Sequence, residues 1–406
     1  MLLVAVGLVA FRLSQPPALA SVRAGALALH VDGAVPAISW PSEGEAAVAV
    51  PALGVQLASG PETPAPIASL TKVMAAYVLL RDHPLTTGRS GPTLTMSSAD
   101  QGEYDDEVAQ GISTLPVAAG ERLTERQLLQ GALLRSAGDY MDAMARWDSG
   151  SVDAFVAKMN TTAAALGMHA THYADTTGVD PGSASTPTDQ LLLGYRAMRT
   201  PAFASTVAMS SATLPLVGTV QSFTPLVGTD GVVGVKSGWT SEAGACDMLA
   251  LAHEEPATTD GGGRTGPASI LVLAVVIGQQ VPNELQGVSG NDALAVASAA
   301  ASGVRVVEAV HGGEALASAS VAGAGDGEGD GNGDPDRAVA GRPIDVLGWP
   351  GQTVHIRLAD RREVRAGDPR GTVVGEEIVR VGDQRRSVPL RLSNGLPSET
   401  LLQRVA

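Results

Sequence analysis

Two of the three lysines in this chain of 406 residues lie within three positions of a serine, at spacings that would let the amine and the hydroxyl act together. Lys72 follows Ser69 in the stretch ASLTK, and Lys236 precedes Ser237 in the stretch VKSGW. Arginine supplies every other strong base and stays protonated, whereas a desolvated lysine can lose its proton and act as a base. The pattern therefore indicates acid–base chemistry, while drift in composition stays open as an explanation of the scarcity.

The first motif is Ser-x-x-Lys at the beginning of an apolar run. Residues three apart on a helix share a face, so the Lys72 amine would lie close enough to remove the Ser69 hydroxyl proton. The helix N-terminus also favours negative charge developing near Ser69. The motif alone is weak evidence, because a helix-capping serine followed by a surface lysine has the same spacing.

The second motif is Lys236-Ser237-Gly238, at the end of the strand-like run GVVGVKSGWTS. Such a site suits the capture of a substrate carboxylate: Lys236 supplies charge and Ser237 a hydrogen bond. Gly238 permits close approach of the backbone. The third lysine, Lys158 in FVAKMN, we assign to a solvated helix face.

Helices and strands must position these residues. Apolar patterning predicts strands near 26–31 and 46–50, followed by a helix over 69–81 that is apolar all round and therefore buried. Further helices are expected over 124–135, 139–148, 152–166 and 188–199, and strands over 212–220, 231–236, 244–253 and 269–278. This order predicts an α/β (α+β) domain in which helices sandwich an antiparallel sheet.

The chain is long enough for two domains, and its character changes after an alanine-rich helix near 291–302. Short β-rich runs then predict a small all-β domain over 303–406, and the first domain covers 21–302. The Gly/Asp-rich run 321–336 cannot bury a core and is expected to be a disordered insertion. A calcium loop is the alternative for this run, but no repeat supports it.

Composition excludes several partners and cofactors. A net charge of −15 argues against nucleic acid and anionic lipid, which require clustered basic residues. One cysteine, Cys246, can form neither an internal disulfide nor a zinc cluster. His169 and His172 have zinc-like spacing with Asp175 nearby, but no third His or Glu stands at ligand spacing. We therefore expect no metal and no cofactor.

The N-terminus begins with the apolar run MLLVAVGLVAF and continues into a Pro/Ala-rich stretch. Residues 1–20 are consistent with the apolar core and cleavage zone of an export signal, although a basic N-terminal region is missing. About 20 apolar residues are needed to span a bilayer, and this run is shorter. The alternatives are an uncleaved anchor, which would associate with the membrane, and an N-terminal strand.

The two lysine motifs, with a serine-containing triplet between them, form the pattern of penicillin-recognising serine enzymes. The sequence around these motifs resembles that of the low-molecular-weight D-alanyl-D-alanine carboxypeptidases of bacteria. The likeness runs nearly continuously from 65 to 278 and includes PIASLTKVM, LLQGALLRSAGDYMDAMA and GVVGVKSGWTSEAG. It is looser in the β-rich tail. The resemblance implies a β-lactamase/DD-peptidase-like fold.

The resemblance also implies roles for individual residues. Ser69 would be the nucleophile, Lys72 its base, and Ser136 the group that relays a proton to the leaving D-alanine. Lys236 with Ser237 would hold the terminal carboxylate of the peptide. The backbone N–H groups of Ser69 and Trp239 would stabilise the oxyanion. The implied partners are the peptidoglycan pentapeptide, with its D-Ala-D-Ala terminus, and β-lactam inhibitors.

One position departs from the family pattern. The family's second motif is S-x-N, which orients the substrate amide and the active-site lysine, whereas this chain has Gly138 at the third position of Ser136-Ala137-Gly138. The following residue, Asp139, is one substitute for the missing amide, although adjacent helical residues do not share a face. A water molecule in the empty space is the other.

The sequence thus predicts an exported serine DD-carboxypeptidase that acts at the cell wall or the outer face of the cytoplasmic membrane. The first alternative is a degenerate relative that binds peptidoglycan or penicillin without turnover, a reading prompted by Gly138. The second is a β-lactamase, which needs a further carboxylate to activate water. No E-x-x-x-N loop stands where that enzyme would have it, and a β-rich C-terminal domain is foreign to it.

Overall fold

The structure, a computed structural model, describes residues 2–86, 88–224, 226–255, 268–281, 287–321 and 337–405. The chain divides into two compact units. The first comprises the described residues of 36–253 and 269–303. The second comprises the described residues of 2–35, 254–268 and 304–405.

The helices of the described residues are α1 Leu2–Ser14, α2 Thr71–Asp82, α3 Ser98–Gln110, α4 Glu125–Leu134, α5 Gly138–Ser149, α6 Val152–Leu166, α7 Pro187–Met198, α8 Pro201–Val207, α9 Gly287–Ala301 and α10 Leu401–Val405. Two short 3-10 turns also occur, Pro51–Leu53 and Ala68–Leu70.

The strands of the described residues are β1 Ala20–Ala24, β2 Leu27–His30, β3 Glu45–Val50, β4 Val55–Ala58, β5 Ala65–Pro66, β6 Thr93–Thr95, β7 Arg122–Thr124, β8 Ala184–Ser185, β9 Ser211–Leu214, β10 Gly218–Gln221, β11 Val232–Thr240, β12 Gly244–Glu255, β13 Ala268–Gln279, β14 Arg305–Val310, β15 Ala315–Val321, β16 Arg337–Ala340, β17 Ile344–Gly348, β18 Thr353–Ala359, β19 Val373–Val381 and β20 Gln384–Leu392.

The first unit is built on a five-stranded sheet with the order β11-β12-β13-β3-β4. The pairs β11 with β12, β13 with β3, and β3 with β4 are antiparallel. Helices α7 and α9 both pack against β3, and α2 packs against α5 and α7. The predicted combination of helices with an antiparallel sheet is confirmed.

Helix α2 lies at the centre of this unit and is buried on almost every side. Its apolar residues Val73, Met74, Val78 and Leu79 are inaccessible to solvent, as the unbroken apolar pattern predicts. The polar helices around it begin at side-chain caps. Thr124, for example, accepts the N–H of Gln127 at the start of α4, which satisfies a backbone donor that has no partner within the helix.

Two sequence predictions about strands were wrong. The run 212–220 is not one strand of the main sheet but the separate hairpin β9–β10, because its chain reverses between Leu214 and Gly218. The strand expected near 26–31 forms as β2 but pairs with β18 in the other unit, whereas the prediction assigned it to the catalytic domain. Strand alternation reveals that a strand exists but not its partner.

The second unit contains a seven-stranded sheet with the order β1-β15-β16-β20-β19-β18-β2, and a two-stranded sheet of β14 and β17. The β-rich C-terminal region was predicted correctly. Residues 21–35 were assigned to the catalytic domain but belong here, since β1 and β2 pair with β15 and β18. Val321, assigned to the insertion, ends β15. The rest of the predicted insertion, 322–336, lies outside the described residues.

The N-terminal residues 2–14 form α1, where the sequence predicted the apolar core of an export signal. The Arg404 guanidinium donates hydrogen bonds to the carbonyl oxygen of Leu13, in the last turn of this helix, and to that of Gln15, just after it. Within the described part of the chain, none of the helices has both the length and the apolar character needed to cross a bilayer.

Candidate active site

Ser69 and Lys72 lie together at the beginning of α2, as their spacing predicts. Ser69 belongs to the 3-10 turn that leads into the helix, and Lys72 lies in its first turn. The Lys72 Nζ atom donates to Ser69 Oγ at 3.2 Å and to the carbonyl oxygen of Thr177 at 2.9 Å. Two acceptors thus hold the lysine amine against the serine hydroxyl.

Ser136 reaches the same point from the connection between α4 and α5. Its hydroxyl donates to Ser69 Oγ at 2.7 Å. Ser136 has a φ of 64°, and Ala68, directly before Ser69, has a φ of 45°. Positive φ values are rare outside glycine and cost about 1 kcal/mol or more each, so the surrounding fold must stabilise them. Both strained residues therefore mark the place where three polar side chains meet.

Strand β11 brings the second lysine motif beside the first. A Cβ atom added to Gly238 would lie 2.6 Å from the backbone nitrogen of Ser69, so any side chain at this position would displace the serine. Glycine is required here by close approach. Ser237 is buried and donates its hydroxyl to the carbonyl oxygen of Phe223 at 3.0 Å. The Trp239 indole donates to the carbonyl oxygen of Val281 at 3.0 Å.

A cavity of about 290 Å³ opens over this cluster. Among the residues singled out from the sequence, Ser69, Lys72, Ser136 and Trp239 line it. Lys236 is wholly buried, does not line the cavity and donates to the carbonyl oxygen of Ser237 at 2.6 Å. Ser237 and Gly238 do not line it either. The fold thus brings all seven predicted site residues to one region, and four of them line the cavity.

Sequence reasoning named no role for the loop 175–180, which supplies part of the cavity wall. Gly178 lines the cavity, and the Thr177 carbonyl accepts the Lys72 amine. The Asp175 carboxylate accepts the hydroxyls of Thr177 and Ser183 and the N–H of Gly178, so it organises the loop. A backbone carbonyl contributes no signal to the sequence, although the composition of the run DTTGVDPG is typical of a loop.

These contacts also bear on the rejected metal site. The side chains of His169 and His172 are exposed, and the Asp175 oxygens are occupied by the loop. Burial acts to raise the pKa of Asp175, but the hydrogen bonds from Ser183, Thr177 and Gly178 outweigh it and lower that pKa below its usual value. Among the described residues, no cluster of His, Cys, Asp or Glu is arranged to hold a metal ion.

Burial shifts the pKa values of both lysines downward. It lowers the pKa of Lys72 to about 8, while the nearby carboxylates of Asp175 and Asp142 limit the decrease. It lowers the pKa of Lys236 to about 7, and repulsion from Lys72 adds to this decrease while Asp247 opposes it. Each amine can therefore change its charge close to neutral pH.

Asp139 does not face the cavity. Its carboxylate accepts the N–H of Leu115 at 3.3 Å, and the residue is buried at the start of α5. Burial raises the pKa of Asp139 to about 7. The neighbouring Gly138 donates its N–H to the carbonyl oxygen of Ser113 at 2.9 Å. Asp139 thus serves the packing of the segment before α4 rather than replacing a side chain at position 138.

The fold is that of the penicillin-binding proteins and DD-transpeptidases. A crystal structure of the Streptomyces K15 DD-transpeptidase superposes with a TM-score of 0.53 and 25% identity, covering 65% of this chain and 99% of that one. A peptidoglycan synthesis regulatory factor (PBP3) from Streptococcus pneumoniae superposes with a TM-score of 0.62 and 18% identity, covering 87% of this chain and 99% of that one. At 18% identity, this similarity shows only that the two proteins share a fold.

Residues 54–257 match the family model of D-alanyl-D-alanine carboxypeptidases, peptidase family S11, and the chain belongs to this family. It is 32% identical over 200 residues to a D-alanyl-D-alanine carboxypeptidase of Streptomyces sp. strain K15, covering 45% of this chain and 66% of the relative. It is 34% identical over 188 residues to DacB2 of Mycobacterium tuberculosis, covering 44% and 59%. The chain thus spans no more than 66% of the length of these relatives.

Proposed function

We propose that the chain is a serine-type D-alanyl-D-alanine carboxypeptidase that removes the terminal D-alanine from peptidoglycan stem peptides. The single observation that carries the proposal is the position of Ser69 Oγ, 3.2 Å from Lys72 Nζ and 2.7 Å from Ser136 Oγ at the base of one cavity. A hydroxyl between an amine and a second hydroxyl has both a base and a route for its proton. Family membership and the names of the relatives support the same reaction.

In the first step, neutral Lys72 accepts the Ser69 proton while Ser69 Oγ attacks the carbonyl carbon of the penultimate D-alanine. The oxygen of that carbonyl becomes negative, and the backbone N–H groups of Ser69 and Trp239 are assigned to stabilise it. Gly238 supports this assignment, because its missing side chain leaves the Ser69 nitrogen uncovered on that side.

The C–N bond then breaks, and the proton held by Lys72 passes through Ser136 to the leaving amine of D-alanine. The acyl group stays on Ser69 as an ester, which water hydrolyses to release the shortened peptide and restore the hydroxyl. Lys236, with Ser237, is assigned to attract the terminal carboxylate of the peptide. Because Lys236 is buried and does not line the cavity, its charge would act through the electric field that it sets up there.

We further propose that β-lactams acylate Ser69 in the same way and that the enzyme acts on peptidoglycan outside the cytoplasm. The relatives carry names of enzymes whose substrate ends in D-alanyl-D-alanine, which supports an extracytoplasmic site of action. Export by residues 1–20, cleavage there and membrane association stay predictions.

The proposal is tested by D-alanine release from a short acylated peptide ending in D-Ala-D-Ala, together with intact-mass detection of a penicillin adduct. The wild type should release D-alanine and form the adduct, and Ser69→Ala should do neither. The matched control is Ser205→Ala, at an exposed serine on α8 whose hydroxyl donates to the Ala202 carbonyl. An adduct without D-alanine release would favour a degenerate binding protein, and rapid turnover of penicillin would favour a β-lactamase.

A further inference from the structure

The space beside Gly138 is filled by a residue from another helix. A Cβ atom added to Gly138 would lie 2.6 Å from Oε1 of Glu107, a buried residue near the end of α3. The Glu107 carboxyl group therefore occupies the space into which a side chain at position 138 would extend. This space is therefore not empty. The Asp139 side chain does not fill it either, because its carboxylate accepts the N–H of Leu115.

The same carboxyl group caps the helix that begins there. Glu107 Oε2 accepts the backbone N–H of Asp139 at 3.1 Å, and the N-cap residue of α5, Ala137, has no side chain that could do so. An acceptor with negative charge at a helix N-terminus satisfies a free donor and interacts favourably with the helix dipole. Because Ser136 lies just before this helix start, Glu107 helps to hold the backbone from which Ser136 reaches Ser69.

Glu107 also acts electrostatically on Lys72. Its carboxylate favours the protonated amine, as do those of Asp175, Asp142 and Asp139, while burial favours the neutral amine. Lys236 is the opposing cation, since it and Lys72 repel each other. At Glu107 itself, burial and the charge of Glu103 raise the pKa, and the Asp139 N–H and Lys72 oppose that rise.

We propose that Glu107 is a positioning residue for the Ser69, Lys72 and Ser136 cluster, standing in for the side chain that position 138 lacks. Its carboxyl group occupies that space, caps α5 and stabilises Lys72 in the protonated form that follows removal of the Ser69 proton. The electrostatic part of this role rests on the proposed function, because it matters only if Lys72 accepts that proton. The packing part does not depend on activity.

The packing part is tested by thermal unfolding of Gly138→Ala, Glu107→Ala and the double variant. Alanine is favoured over glycine in a helix, so the change would raise Tm if the space were open. We expect Gly138→Ala to lower Tm, and the decrease to shrink at least by half in the Glu107→Ala background. The control is Gly102→Ala on α3, where an added Cβ meets nothing within 4 Å. Equal decreases in both backgrounds would overturn the proposal.

The electrostatic part is tested by the pH dependence of Ser69 acylation by penicillin in Glu107→Gln. Glutamine keeps the shape and an oxygen that can accept the Asp139 N–H, but it removes the charge. Because Glu107 raises the pKa of Lys72, its removal should shift the acidic limb of the profile to lower pH by about 0.5 unit. Asp106→Asn, which neutralises an exposed acid one residue away on α3, should leave the limb in place.

The outcomes separate the two proposals. A wild type that penicillin does not acylate would contradict the proposed function, and the unfolding experiment would still decide whether Glu107 fills the space at position 138. Acylation of the wild type with an unmoved limb in Glu107→Gln would overturn the electrostatic role of Glu107 and leave the proposed function intact.

Discussion

The hydroxyl oxygens of Ser69 and Ser136 lie 2.7 Å apart, although the two residues are 67 positions apart in the chain. Ser136 donates and Ser69 accepts, while Lys72 donates to the same Ser69 oxygen at 3.2 Å. The serine hydroxyl thus lies between two groups that can exchange protons, and one of them is an amine whose pKa burial lowers to about 8.

Removal of the Ser136 hydroxyl should slow the reaction without unfolding the protein. A positioned proton donor contributes about 10²-fold or more to a rate, so Ser136→Ala should lower kcat for D-alanine release by at least about that factor. Ser136→Gly is the matched variant, since glycine accepts the φ of 64° without strain. Equal losses in both variants would assign the effect to the hydroxyl. A fully active Ser136→Gly would contradict the relay.

The two lysines should produce a bell-shaped dependence of kcat/KM on pH. Lys72 must be neutral to accept a proton, whereas Lys236 must be charged to attract a carboxylate. Burial lowers the pKa of Lys236 to about 7 and that of Lys72 to about 8, so the pair holds a single proton mainly between these values. The reactive form, with Lys72 neutral and Lys236 charged, is the less populated of the two singly protonated forms, and its population is highest in this range. The rate should rise with pH through the lower value and fall above the upper one.

Lys236→Arg tests this interpretation. Arginine stays charged throughout the range, so the alkaline limb should move upward by more than about one pH unit, and the acidic limb that is left should report the titration of Lys72 alone. The measurement is kcat/KM from about pH 5 to about pH 10, with Tm recorded to show that the buried arginine is accommodated. An alkaline limb in its original place would mean that a group other than Lys236 causes it.

Gly178 should tolerate substitution much less than another glycine with the same backbone conformation. Gly178 has a φ of 79°, and an added Cβ would collide with the backbone carbonyl oxygen of Ala68, directly before Ser69. Gly167 has a φ of 85° and open space around it. Gly167→Ala should therefore cost only the backbone strain, about 1 kcal/mol of unfolding free energy. Gly178→Ala should cost more and should also abolish acylation of Ser69.

Unfolding measurements and penicillin labelling of both glycine variants check this prediction. Comparing Gly178→Ala with Gly167→Ala isolates the effect of the collision with the Ala68 carbonyl, because both substitutions place alanine at an unfavourable φ. Similar losses of stability, with labelling retained in Gly178→Ala, would show that the turn before α2 does not depend on close contact with the loop 175–180.

The sequence predicted most helices of the first unit but missed α3 and α8, and it predicted the partners of the strands less well. The buried α2 followed from its unbroken apolar run, and α4 to α7 lie within two residues of the ranges predicted for them. The hairpin β9–β10 and the pairing of β2 with β18 were missed, because the periodicity of a strand records which faces are buried and not which strand lies beside it.

The sequence by itself determined the features that depend on local spacing. The three-residue interval between Ser69 and Lys72 puts both on one helix face, and glycine at position 238 leaves the backbone there open to close approach. Only the tertiary structure decided the rest: the approach of Ser136, the Thr177 carbonyl against Lys72, and Glu107 in the space beside Gly138. Helical geometry fixes the relative positions of residues a few positions apart in the sequence. Contacts between distant segments depend instead on how whole helices and strands pack together.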